Sequence, residues 1–173
     1  MLESLITSKT RQRILVKFFM NVATNGYLRG LAEELNESTN AIRKELNNLL
    51  EAGFLEKEAS QNKIIYRANK KHPLFSIIQK IIRHHIGIEA MVDMILQRMG
   101  EVEKVVIIGD YANGIDSGRI EVILVGQQLH ASYIDKLGVK IENEIKRKVE
   151  FFLMEEYEDD KGLVIYENHK PKE

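Results

Sequence analysis

The sequence predicts an α+β fold built as two modules with a helical connector between them. Three observations lead there. Charge is unevenly spread: residues 1–72 hold 12 Lys+Arg against 8 Asp+Glu, a balance of +4. Residues 73–173 hold 13 against 18, a balance of −5, and the two together give the net charge of −1. Apolar residues recur at helical spacing in the first half and in the middle of the chain. The last third is marked by short apolar runs of strand length instead. The boundaries expected from these shifts are residues 1–71, 72–86 and 87–173. A chain of 173 residues, 44% hydrophobic and 29% charged, suits one or two small globular domains.

Composition excludes several function classes. There are no cysteines, so disulfides, zinc ribbons and thiolate metal sensing are ruled out. His72, His84 and His85 do not form a recognised ligand spacing, and no metal or cofactor is expected. No apolar run approaches the roughly 18–20 residues that a membrane span needs. The opening "MLESLITSKTRQR" lacks a basic-then-apolar signal layout. A cytoplasmic protein without a membrane partner is expected.

In the first module, Ile14, Leu15, Phe18, Phe19 and Val22 predict a helix over 8–22, capped by Ser8 or Thr10. "TNGY" (24–27) reads as a turn, and Tyr27–Leu28 as a very short strand. "LAEEL" (31–35) reads as a short helix ending at Asn36. Ile42, Leu46, Leu49 and Leu50 then place one apolar face on a longer helix. Ser38 or Thr39 is its N-cap, and Gly53 its left-handed C-terminal residue. Its opposite face carries Asn40, Arg43, Lys44 and Asn47. Leu55–Lys57 and Lys63–Arg67 read as strands around an "ASQN" hairpin loop.

Helix, short helix, turn, longer helix and two-stranded ribbon is the winged helix-turn-helix order. With its "LNNLLEAGFL" exit (46–55), the stretch from about 8 to 70 resembles the ArsR-like winged-helix repressors. The resemblance implies binding to double-stranded DNA as a homodimer. A helix fits the major groove, and the residues of its first turns reach base edges. Ser38, Thr39, Asn40, Arg43, Lys44 and Asn47 are therefore the expected reading surface. Asn40 and Asn47 suit adenine, and Arg43 suits guanine. Lys44, with Lys57, Lys63 and Arg67 of the ribbon, is expected to meet phosphate.

In the connector, Pro73 opens a helix. Leu74, Ile77, Ile78, Ile81 and Ile82 form a wide apolar stripe. Ile88, Met91, Val92, Ile95, Leu96 and Met99 form another, and Gly87 marks a break between them. The expectation is that helix 74–86 contributes to a dimer seam and helix 88–99 packs on the second module.

The second module reads as strands "KVVII" (104–108), "RIEVILV" (119–125), "VEFFLM" (149–154) and "GLVIYE" (162–167). A helix over 135–147 presents Ile134, Leu137, Ile141 and Ile145 inward. "GDYANGIDSGRIEVILVG" (109–126) resembles the minimal nucleotidyltransferase domain of the polymerase-beta type, with the resemblance covering about residues 88–155. Gly109 matches that family's glycine, and "YANG" matches its turn. Asp110 replaces the family's serine. The Asp-x-Asp pair falls on Arg119 and Glu121, and Glu150 stands where a third carboxylate belongs. Carboxylates two apart on a strand share a face and hold the same divalent ions. Arg119 puts a fixed cation there, and Asp110 opposes phosphate, so the motif is broken and no catalytic residue is expected. An ion pair of Arg119 with Glu121, Asp110 or Asp116 is anticipated. The domain is left with ligand sensing, through a small-molecule effector, or with assembly. The function expected overall is a DNA-binding transcriptional regulator and not an enzyme. The alternatives are a metal-dependent nucleotidyltransferase whose winged helix presents the acceptor, and a protein-interaction module.

Overall fold

The computed structural model describes residues 2–159 and 161–168. It mixes helices and strands and divides into two compact units. The first runs to His85 and includes Asn113–Ile115; the second comprises Ile86–Ala112 and the chain from Asp116 onward. No helix among the described residues is long and apolar enough to cross a membrane. Divided in this way, the charge contrast sharpens. The first unit holds 14 Lys+Arg against 8 Asp+Glu, and the second 11 against 18.

The first unit begins with α1 (Leu2–Leu5) and α2 (Lys9–Phe19). Ser8 caps α2, its hydroxyl accepting from the Arg11 N–H at 3.1 Å. Ile14, Leu15, Phe18 and Phe19 are buried along one face. Val22 lies beyond the helix end and is only half-buried, so the expected extension to residue 22 does not form. β1 is Asn25–Tyr27, and Leu28 opens α3 (Leu28–Glu34) rather than extending the strand. The short helix therefore starts three residues before "LAEEL". Leu31, Ala32 and Leu35 are its buried positions, and Asn36 closes the turn at φ 51°. Asn is among the few non-glycine residues that tolerate that conformation.

α4 (Thr39–Glu51) is capped by Ser38, whose hydroxyl accepts from the Ala41 N–H at 3.1 Å. Ile42, Leu46 and Leu49 are buried and Leu50 is half-buried. Gly53 takes φ 77°, which lets its N–H reach the Leu50 carbonyl and the Phe54 N–H reach the Leu49 carbonyl, both at 2.9 Å. That double closure satisfies carbonyls a helix end leaves orphaned. β2 (Leu55–Ser60) and β3 (Lys63–Ala68) pair antiparallel in a sheet of order β1-β3-β2. Ala59 and Ser60 belong to β2, so the loop is only Gln61–Asn62, shorter than "ASQN". α5 (Phe75–Ile86) starts two residues after Pro73; Leu74 precedes it and accepts from the Ile78 N–H at 2.9 Å.

In the second unit, α6 (Ile88–Arg98) follows Gly87, which takes φ 94° at the break between the helices. A short pairing of β4 (Gly100–Glu101) with β7 (Gln128–Leu129) was not legible as strand pattern. β5 (Lys104–Ile108) and β6 (Arg119–Val125) have the expected bounds. Between them, Gly109–Ala112 forms the one-turn helix α7, where a plain turn was expected. α8 (Ile134–Ile145) ends two residues short of the expected limit because Lys146 turns left-handed at φ 57°. β8 (Lys148–Met154) and β9 (Leu163–Glu167) complete a four-stranded sheet of order β8-β6-β5-β9. β8 runs parallel to β6; the other neighbours are antiparallel. On one face, Ile108, Phe152 and Tyr157 pack on Val106, Ile123 and Val125.

Candidate functional site

The geometry of α4 follows from its apolar spacing. With Ile42, Leu46 and Leu49 buried, Asn40, Arg43, Lys44 and Asn47 are turned to solvent together with Thr39. The Arg43 Nη1 donates to the Asn40 Oδ1 at 3.3 Å. Neither Arg43 nor Lys44 joins an ion pair among the described residues. Four of the expected reading residues, Asn40, Arg43, Lys44 and Asn47, thus share one exposed strip. Ser38 stands at its start with its hydroxyl held by the cap.

Glu45 fixes how this helix sits, and sequence spacing alone did not single it out. Its carboxylate is buried against α2, accepting from the Ser8 hydroxyl and from the Arg11 Nε, both at 2.7 Å. Burial would raise its pKa, but the Ser8 and Arg11 bonds outweigh it and hold the carboxyl below its ordinary value. Position 45 lies three residues after Ile42 and four before Leu49, on the apolar side of the wheel. That placement was the available signal.

The ribbon cations do not share one surface. Directly opposite residues of an antiparallel pair point to the same side. Lys57 stands opposite Tyr66, whereas Arg67 stands opposite Glu56 on the other side of the ribbon. Arg67 is held by Glu56 at 2.7 Å and Glu58 at 3.2 Å. Lys63 shares the Arg67 side, and its ammonium lies 4.1 Å from the centre of the Tyr27 ring. Lys57 and Lys63 extend from opposite faces of the hairpin.

In the second unit, the motif residues do assemble. Glu121 and Glu150 are direct partners in the β6–β8 register, as are Arg119 and Lys148. Gly109, at φ 66°, backs onto Glu121 so closely that a β-carbon there would collide with the Glu121 Oε2. The left-handed backbone favours glycine there, and a β-carbon would displace the Glu121 carboxylate at the end of its flexible side chain. Arg119 pairs with Glu150, not with the Glu121, Asp110 or Asp116 anticipated from the sequence. The parallel register sets Glu150 one pleat from Arg119 on the same sheet face, which brings the two charges together. Among the described residues, no three His, Asp or Glu side chains are grouped to hold a metal ion.

Asp116 belongs to a different constellation. Arg147 grips it in bidentate fashion, Nε to Oδ1 at 3.0 Å and Nη2 to Oδ2 at 2.7 Å. The buried Tyr111 hydroxyl donates to Asp116 and accepts from the Arg147 Nε and the Gly118 N–H, each at 3.1 Å. Burial and then the neighbouring Asp116 carboxylate push the Tyr111 phenol well above its ordinary range. Burial lowers the Arg147 pKa, but Asp116 more than offsets it. This cluster ties the loop before β6 to the segment before β8. Positions 111, 116 and 147 are too far apart in sequence for spacing to connect them.

The chain matches no protein-family model, no curated protein and no solved structure.

Proposed function

We propose that this protein is a DNA-binding transcriptional regulator, acting as a homodimer and docking α4 in the major groove. The observation that carries this reading is the exposed strip Asn40–Arg43–Lys44–Asn47, whose cations meet no acidic partner among the described residues and which is carried on a capped, well-packed helix. Arg43 offers paired donors to guanine, and the asparagine amides offer donor–acceptor pairs to adenine. The order α2, α3, α4, β2, β3 supports a winged-helix reading, with Lys57 and Lys63 as phosphate contacts at the ribbon. The +6 balance of the first unit favours a polyanionic partner.

The second unit is read as an assembly or ligand-sensing module of nucleotidyltransferase-like shape, not as a catalyst. Arg119 neutralises Glu150, one of two carboxylates that a metal-dependent transfer would need there. Selection of binding sequences from a random duplex pool, read by fluorescence anisotropy, tests the DNA reading. The expected result is a two-fold-related motif bound with an affinity that falls steeply with salt. Absence of sequence enrichment together with salt-insensitive binding would refute it.

A further inference from the structure

The sheet of the second unit has two outer strands, and they are unlike. β9 spans Leu163–Glu167, and its pairing with β5 breaks register between Val105 and Val106. β8 pairs with β6 in unbroken register from Lys148 to Met154. Short, irregular edges resist the addition of another strand, whereas long regular edges invite it.

In a parallel ladder, alternate residues turn both backbone groups toward the same neighbour. The Lys148 N–H donates to the Gly118 carbonyl at 2.9 Å, and the Met154 carbonyl accepts from the Gly126 N–H at 3.1 Å. Lys148, Glu150, Phe152 and Met154 therefore address β6, and Val149, Phe151 and Leu153 address the outside. The Val149 N–H is taken by the Glu142 carboxylate at 3.0 Å. Beyond that stop, the outward groups of Phe151 and Leu153 face no other strand of the sheet among the described residues.

The charge along this edge is self-complementary. The segment "KRKVEFFLMEE" (146–156) is basic at its start, apolar in its middle and acidic at its end. Arg147 is committed to Asp116, but the Lys148 side chain is 78% exposed although it contacts Glu142. Glu155 and Glu156 are exposed at the other end. Tyr157, packed on Val106, Ile123 and Val125, anchors the chain that carries them.

We propose that β8 is a joint between two copies of this chain, paired antiparallel about a two-fold axis at Phe152. An axis normal to the sheet keeps each face continuous, so residues of equal parity must oppose each other. Phe152 then meets its own counterpart, and Phe151 exchanges backbone hydrogen bonds with Leu153 on each side of the axis. Val149, whose N–H is already satisfied, falls just outside the bonded stretch. Lys148 of each copy stands opposite Glu156 of the other. The basic end of one strand thus lies along the acidic end of its partner. The inference concerns the second unit alone and does not depend on DNA binding.

Sedimentation equilibrium of the full-length chain, without DNA and up to about 100 µM, tests it. The unaltered protein is expected to dimerise. Lys148→Glu and Glu156→Lys should each weaken the dimer about tenfold or more by setting like charges together. Lys148→Glu combined with Glu156→Lys should recover most of the affinity. Such a rescue can occur only between chains, because β8 separates Lys148 from Met154 by roughly 20 Å and Glu156 lies beyond its end. A monomer throughout the range, a dimer indifferent to Lys148→Glu, or a double variant no tighter than the single ones would each overturn the proposal.

Discussion

The cations of α4 and those around β6 are held in opposite ways. Arg43 and Lys44 project into solvent without acidic partners among the described residues, whereas Arg119 and Arg147 are bound to Glu150 and Asp116. The first arrangement leaves positive charge available for an external anion. The second consumes it internally to fasten loops and strands. A cationic residue in a motif therefore carries different meaning according to whether the fold has already supplied its counter-charge. The two surfaces also differ in mechanical support. Glu45, Ser8 and Arg11 fix α4 from behind and leave its outer face clear, while the β6 region fixes its charged residues directly.

The contrast is sharpest in stability. Arg147→Ala is expected to cost about 3 kcal/mol in urea unfolding, because it removes the bidentate counter-charge of Asp116 and leaves that carboxylate beside the buried Tyr111 hydroxyl. Arg43→Ala with Lys44→Ala should cost less than about 0.5 kcal/mol in the same measurement. Equal losses would break the comparison.

Glu45→Gln probes the support behind α4 and should lower stability by about 2 kcal/mol near neutral pH. The folded-state pKa of Glu45 is depressed, so its contribution is complete above the ordinary carboxylate range and disappears as pH falls through the lowered value. The melting temperatures of the parent and Glu45→Gln should accordingly converge as pH drops from about 5 toward 3. A gap that widens on acidification would contradict the Ser8–Arg11 account.

Gly109→Ala asks whether the β6 motif is held sterically. The left-handed backbone alone should cost about 1 kcal/mol, and the displaced Glu121 carboxylate adds to it. The smallest effect is expected from R119D. It should leave the melting temperature nearly unchanged while giving weak, millimolar Mn²⁺ binding by calorimetry. Equal Mn²⁺ binding by the parent protein would mean that Arg119 does not suppress a cation site.

Much of the fold was legible because local chemistry marked it. Ser8 and Ser38 cap, Gly53 closes α4, and the β5 and β6 apolar runs end where their strands end. Less legible were features set by partners distant in sequence. Leu28 joins α3 because Leu31, Ala32 and Leu35 draw that turn into the core, and no capping side chain announces its start. Ala59 and Ser60 join the ribbon through their pairing with Ile64 and Lys63. Lys146 stops α8 through a backbone conformation that lysine does not advertise. The exposed strip of α4 was visible from periodicity alone, since burying Ile42, Leu46 and Leu49 dictates what faces outward. The sidedness of Lys57, Lys63 and Arg67 required the strand register, as did the choice of Glu150 as the partner of Arg119.

The most direct test of the central claim compares the parent protein with the Arg43→Ala, Lys44→Ala double variant on a selected duplex at fixed salt. The account predicts an affinity loss of about 30-fold or more, with the melting temperature and the oligomeric state unchanged. Unaltered DNA affinity in the double variant would contradict it, because α4 would then not be the reading surface.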